Sequence, residues 1–188
     1  MRLVLPSESE FRRRAMDLLG LPYEVRPARI DEKSIRDHDP AQLTRKLAEA
    51  KAKKIVEECP DGVIVSGDAV AYKDGKIIEK PRSKAEAAEF LKEFSGNEFQ
   101  FVTSIAVLNA KNSRMLSTVE TLNINFRPLL DREIQQYVGK YNVLNYAGAF
   151  ENDAVLLFAD RIAGSYNPGT ALSPSRLIVL LREQGVDV

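Results

Sequence analysis

The chain of 188 residues has one cysteine, one histidine and no tryptophan. A lone Cys59 excludes an internal disulfide, and with a lone His38 it excludes a zinc cluster built from Cys and His ligands. A Cys-His or Ser-His nucleophilic pair is excluded unless His38 is the base. An excess of charge of either sign is also missing, since 27 basic residues balance 27 acidic ones. No basic field exists to hold a polynucleotide nonspecifically, so a nucleic-acid partner is not expected. Long apolar runs are absent as well. Leu177 to Leu181 falls far short of a membrane span, and Met1 to Pro6 lacks the apolar core of a secretory signal; the expectation is a cytosolic protein with no membrane partner. Chemistry is left to carboxylates, lysine, arginine and a hard metal ion.

What is present reads as a mixture of helices and strands without strict alternation, which predicts an α/β or mixed α+β fold. No repeat, low-complexity tract or Gly/Ser linker divides the chain, so residues 1–188 are expected to form one two-lobed domain. Leu3-Val4-Leu5 predicts a buried strand. After Ser7-Glu8-Ser9, the apolar residues Phe11, Ala15, Leu18 and Leu19 recur at helical spacing before Gly20. Asp39-Pro40 opens a second helix to about Glu58, with Leu43, Leu47, Ala48 and Ile55 inward and Lys51 in the middle of that stripe. Val63-Ile64-Val65 predicts a strand ending at Ser66-Gly67-Asp68, followed by a hairpin about Asp74-Gly75. Ser83-x-x-Glu86 is a capping box opening a helix to Phe94. Phe99–Leu108 and Met115–Phe126 read as neighbouring strands, Asp131 as the cap of a short helix, and Val155–Phe158 with Ile162 as late strands. Ser173-Pro174 starts the last helix and Gly185 ends it.

Three places could carry chemistry. In Ser7 to Arg14, a helix start, hydroxyls and guanidinium forks together suit phosphate oxygens, although a capped helix with solvated arginines has the same pattern. Lys51 must either snorkel, which is the commoner fate, or meet an anion. Asp68 at a strand mouth can hold a divalent cation or orient water, with Lys80 returning on the paired strand; a turn aspartate and an exposed lysine read equally well. Glu32 adds an acid from a loop. Arg12, Arg13, Lys51 and Lys80 can balance a polyphosphate while Glu32 and Asp68 hold a cation against it, and no Gly-rich phosphate loop of the kinase or P-loop type is present.

These residues resemble the Maf (septum formation) nucleotide pyrophosphatases, whose structural relatives include the inosine triphosphate pyrophosphatases. The resemblance runs from Ser9-x-x-Arg12-Arg13 through Ile30-Asp31-Glu32, Ala48-x-x-Lys51-Ala52, Gly67-Asp68, Asp74-Gly75-x-Ile77-x-x-Lys80-Pro81, Ser95-Gly96, Phe126-Arg127-Pro128-Leu129 and Ala147-Gly148-Ala149-Phe150 to Gly164-Ser165. It implies a long mixed sheet with two lobes around a nucleotide cleft, often as a homodimer. It implies cleavage of a nucleoside triphosphate between its α- and β-phosphates, to a monophosphate and pyrophosphate, with Mg²⁺ or Mn²⁺, in a housecleaning role. By position, Ser9, Arg12 and Arg13 would bind phosphate, and Lys51 and Lys80 would neutralise developing charge. Glu32 and Asp68 would handle metal and water, with Asp68 as the catalytic carboxylate.

The departures bear on the substrate. Phe11, where the motif has its first arginine, and Phe150, in place of a tyrosine, look more like the branch acting on 7-methylguanosine triphosphate than the one preferring dTTP and UTP. Phe11 could stack on a methylated purine or anchor the helix. Ala50 and Ala69 replace a Glu and a Thr or Gln, Asn145-Tyr146 and Glu151-Asn152-Asp153 replace motifs of the dTTP/UTP branch, and Ala171-Leu172-Ser173 replaces a common Gly-Leu-Pro. The rival readings are a nucleotide-binding regulator of cell division with little catalysis, and an inosine or xanthosine triphosphatase.

Overall fold

The computed structural model describes residues 2–151, 155–164 and 171–188. Asn152, Asp153 and Ser165, named in the motifs above, lie outside the described residues. In chain order the elements are β1 (Arg2–Leu5), α1 (Glu10–Asp17), β2 (Tyr23–Val25), α2 (Pro40–Val56), β3 (Gly62–Lys73), β4 (Lys76–Ile78), α3 (Lys84–Phe94), β5 (Glu98–Asn109), β6 (Arg114–Phe126), α4 (Asp131–Lys140), α5 (Val155–Phe158), β7 (Ala159–Gly164) and α6 (Pro174–Glu183). The strands form one mixed sheet in the order β2-β1-β3-β5-β6-β7, with β4 on β3. β1 is parallel to both β2 and β3, while β4 and β7 are antiparallel to β3 and β6. This is the mixed α/β architecture expected from the element order.

Two compact units share the chain. The first comprises residues 1–68, 103–120 and 169–188, and the second residues 69–102 and 121–168. In the first, β3 alternates its faces as a strand must. Val63 and Val65 pack with Leu3, Leu5, Met16, Leu177 and Leu181, whereas Ile64 packs with Ala52, Ile55 and Cys59. The core of the second unit is aromatic. Phe94 stacks on Phe99 at 4.0 Å between ring centroids, and Phe126, Phe150 and Phe158 meet neighbouring rings edge-on or tilted.

The structure differs from the sequence reading at four elements. The strand from Val63 does not end at Asp68; it continues through Gly67 as one strand of 12 residues. Val155–Phe158 is a helical turn rather than a strand, with the Val155 amide donating to the Glu151 carbonyl; a four-residue apolar run has no period to separate the two. Leu18 is 68 % exposed at the C-cap of α1, so the inward face of that helix carries Phe11, Ala15 and Met16 without it. Leu130, not Asp131, occupies the cap of α4, and the cap is closed by the Glu133 carboxylate accepting from the Leu130 amide at 2.9 Å.

The same Glu133 takes both arms of Arg127, at 2.7 and 3.1 Å, and the guanidinium holds its pKa at about 2, well below the usual carboxylate range. A depressed carboxylate contributes stability that is fully present above its unfolded pKa and lost as pH falls through the folded one. Glu133→Gln is therefore expected to be less stable than the parent at pH 7, with the gap narrowing between about pH 4.5 and 2. Urea titrations of both proteins across that window check this; a gap that stays constant contradicts the ion pair as its source.

Candidate active site

The first unit brings four of the sequence-predicted residues together. Asp68 lies on the face of β3 shared by Ile64 and Ser66, the face turned to α2. α2 starts where Asp39 accepts from the Ala41 amide at 2.8 Å with Pro40 in the first turn, and its inward stripe carries Lys51. The Lys51 ammonium neither snorkels nor sits alone. Its Nζ donates to Asp68 Oδ1 at 2.6 Å and pairs with Glu32 Oε1 at 2.9 Å. The Lys51 and Asp68 side chains are 8 % and 10 % exposed, while Glu32 reaches in from an exposed 3-10 turn over Glu32–Ser34 that Asp31 caps.

Arg12 completes the group. Its Nη2 is 4.0 Å from Asp68 Oδ1 and its Nη1 donates to Ser7 Oγ at 3.0 Å. Nε is buried and has no partner among the described residues, so one donor of this guanidinium is unmet. Ser9 is the N-cap of α1, its hydroxyl accepting from the Arg12 amide at 3.5 Å. Two carboxylates and two cations thus face one another within the first unit, at a helix start whose free amides favour negative charge. Such an arrangement can bind a phosphate, hold a cation against it and take up a proton.

Other predicted residues are placed differently. Arg13 is on an exposed part of α1, while Phe11, at 9 % exposure, lies inward with Ala15 and Met16 as an anchor of that helix. Lys80 belongs to the second unit, exposed just after β4. The sequence reading did not single out Ser66 and Ser104 as site residues, although the two-residue period through Ile64, Ser66 and Asp68 places Ser66 on the Asp68 face.

Gly67 has a steric reason. A Cβ there would lie 2.6 Å from the Ser104 carbonyl oxygen and 2.4 Å from Leu172 Cδ2, and the former is backbone that cannot step aside cheaply. Gly67→Ala is expected to destabilise the protein by about 1–3 kcal/mol through overpacking, and to perturb Asp68 next to it. Thermal unfolding checks this; a variant as stable as the parent would contradict the close approach.

The Maf-like protein family model matches residues 2–184, which takes in every element of the site. A nucleoside triphosphate pyrophosphatase of Synechococcus sp. (strain JA-2-3B'a(2-13)) is 35 % identical over 185 residues, covering 97 % of this chain and 94 % of that protein. A match that runs from β1 to α6 shows the family, and the chain belongs to the Maf-like proteins.

Proposed function

We propose that the chain is a metal-dependent nucleoside triphosphate pyrophosphatase acting as one Maf-like domain over residues 1–188. The observation that carries this reading is the Lys51 ammonium held between Asp68 and Glu32 beside a guanidinium with a spare buried N–H. The full-length similarity to a protein named nucleoside triphosphate pyrophosphatase supports it.

The residues present fit a divalent cation. Glu32 and Asp68 are hard oxygen donors already converging on one positive charge, and no cluster of three or more His, Cys, Asp or Glu side chains occurs among the described residues. Mg²⁺ is commonly held by one or two carboxylates with substrate phosphates completing its shell. When bound by Glu32 and Asp68, Mg²⁺ or Mn²⁺ would supply charge neutralisation at the phosphate oxygens.

The chain's own residues divide the remaining work. Arg12 and the amide end of α1, with Ser9 as its cap, bind the phosphate oxygens; Arg13 adds charge at the rim. Lys51 stabilises the negative charge that develops as pyrophosphate departs. Asp68 takes the proton of the attacking water as the new P–O bond forms and the bond to the leaving pyrophosphate breaks. Lys80 keeps a charge-neutralising role on its motif alone. Phe11 enters through the face of α1 that it anchors. For the base, we favour a modified purine such as 7-methylguanosine triphosphate over dTTP or UTP, on the strength of Phe11 and Phe150.

The test is pyrophosphate release by the purified protein with Mg²⁺ or Mn²⁺ across canonical, deaminated and methylated nucleoside triphosphates. Turnover on at least one is expected, with Asp68→Asn lower by roughly 10²–10⁴-fold. Nucleotide binding without pyrophosphate release on any of them would favour the regulator instead, and would give Ala50 and Ala69 their meaning.

A further inference from the structure

Lys51 and Asp68 sit on different elements, so a 2.6 Å contact between them requires α2 to hold one height and one roll on the sheet. The apolar contacts of Ile64 with Ala52 and Ile55 do not set that register alone, because hydrophobic burial is not directional. Two hydroxyls at the interface are directional. Ser66 Oγ donates to the Ala48 carbonyl at 2.5 Å, with the Ala106 carbonyl also in reach at 3.5 Å. Ser104 Oγ, on the neighbouring strand β5, donates to the Thr44 carbonyl at 2.7 Å. Both serines are 1 % exposed.

Their placement leads up to the ion pair. As β3 advances from Ile64 to Ser66 and Gly67, the helix residues opposite step back from Ile55 through Ala48 to Thr44, since the Ser104 that grips Thr44 is the residue whose carbonyl faces Gly67. Helical side chains lean toward the helix N-terminus, so the Lys51 stem runs in the direction in which β3 advances and arrives at Asp68. Ser66 fixes the helix one pleat before Asp68, and Ser104 fixes it one helical turn earlier along α2, beside Gly67.

These hydrogen bonds are not needed to satisfy the helix. Thr44 and Ala48 are inside α2, where each carbonyl already has an intrahelical partner available, and a carbonyl oxygen has a second lone pair to offer. Removing a hydroxyl leaves no helix carbonyl orphaned. A buried serine pair that the backbone does not require, placed on the turns of α2 that lead up to Lys51, is explained by what it orients.

We propose that Ser66 and Ser104 are positioning residues that fix the slide and roll of α2 and thereby deliver the Lys51 ammonium to Asp68. The catalytic half of the claim rests on the pyrophosphatase reading; the structural half does not. Misplacement of a reacting group by about 1 Å can cost on the order of 100-fold in rate, so loss of both clamps is expected to show in turnover before it shows in substrate binding.

The experiment uses the full chain and the variants Ser66→Ala, Ser104→Ala and their combination. In ¹⁵N-labelled protein, the side-chain ammonium signal absent from Lys51→Met identifies Lys51. The parent is expected to show it as a slowly exchanging resonance, and the double variant to lose or shift it while remaining folded. In turnover, kcat is expected to fall about tenfold or more in the double variant with KM changed less than about threefold, and Ser104→Thr, which keeps the hydroxyl, to stay near the parent. If the double variant does not fold, the single variants carry the same comparison with smaller effects. An ammonium signal unmoved in the variants, or absent from the parent, overturns the proposal, as does turnover within twofold of the parent. A parent without turnover that nonetheless loses its ammonium signal on removal of the clamps upholds the positioning and refutes only the pyrophosphatase reading.

Discussion

A lysine ammonium 2.6 Å from an aspartate, with both side chains about nine-tenths withdrawn from water, is the contact on which the first unit depends. Taking two charges out of water costs several kcal/mol per ion, and mutual attraction offsets that only when the geometry is close and the remaining donors and acceptors are met. Glu32 provides the second acceptor for Lys51, and Arg12 the second cation near Asp68. Either charge left alone would be an uncompensated burial, so the four side chains form one electrostatic unit.

Local structure around the group follows from that requirement. Asp68 can face α2 because Gly67 lets the strand pass the Ser104 carbonyl without a side chain in the way. α2 brings its lysine to the sheet because its stripe is otherwise small or apolar, with Ala48 and Ala52 allowing close approach. Arg12 arrives because Ser9 caps α1 just beyond β1, whose parallel pairing with β3 puts both strands in one sheet. Function then uses what stability demanded: cations and carboxylates already facing each other, with one guanidinium N–H unspent. The aromatic core of the second unit is of another kind, held by ring packing and by the glycine at Gly148, where a Cβ would strike Phe150.

Much of this was legible in the sequence because it is written locally. Asp39-Pro40, Ser83 and Gly185 mark helix ends by chemistry that acts within one turn, and Asp74-Gly75 marks its hairpin by positive φ at both residues. A lysine in an apolar stripe identifies itself as a residue that must either snorkel or meet an anion. Which anion it finds is a tertiary fact, as is the role of Gly67, which looks like a strand terminator until its neighbour across the sheet is known. The helical turn at Val155–Phe158 escaped for a different reason, since four apolar residues are too short for periodicity to decide. The strand period puts Ser66 on the face of Asp68, but what Ser66 and Ser104 bond to has no local signature, since their partners lie 18 and 60 residues away.

The most direct measurement of the central claim is a double-mutant cycle on Lys51→Met and Asp68→Leu, read by urea unfolding at neutral pH. Each single replacement takes the nearest counter-charge from a buried group and leaves it only Glu32 or Arg12, whereas the pair of replacements removes both buried charges, so the double is expected to cost markedly less than the sum of the singles. A coupling of more than about 1 kcal/mol is the predicted result. Additive losses would show that the two residues do not depend on one another, and would contradict the account at its root.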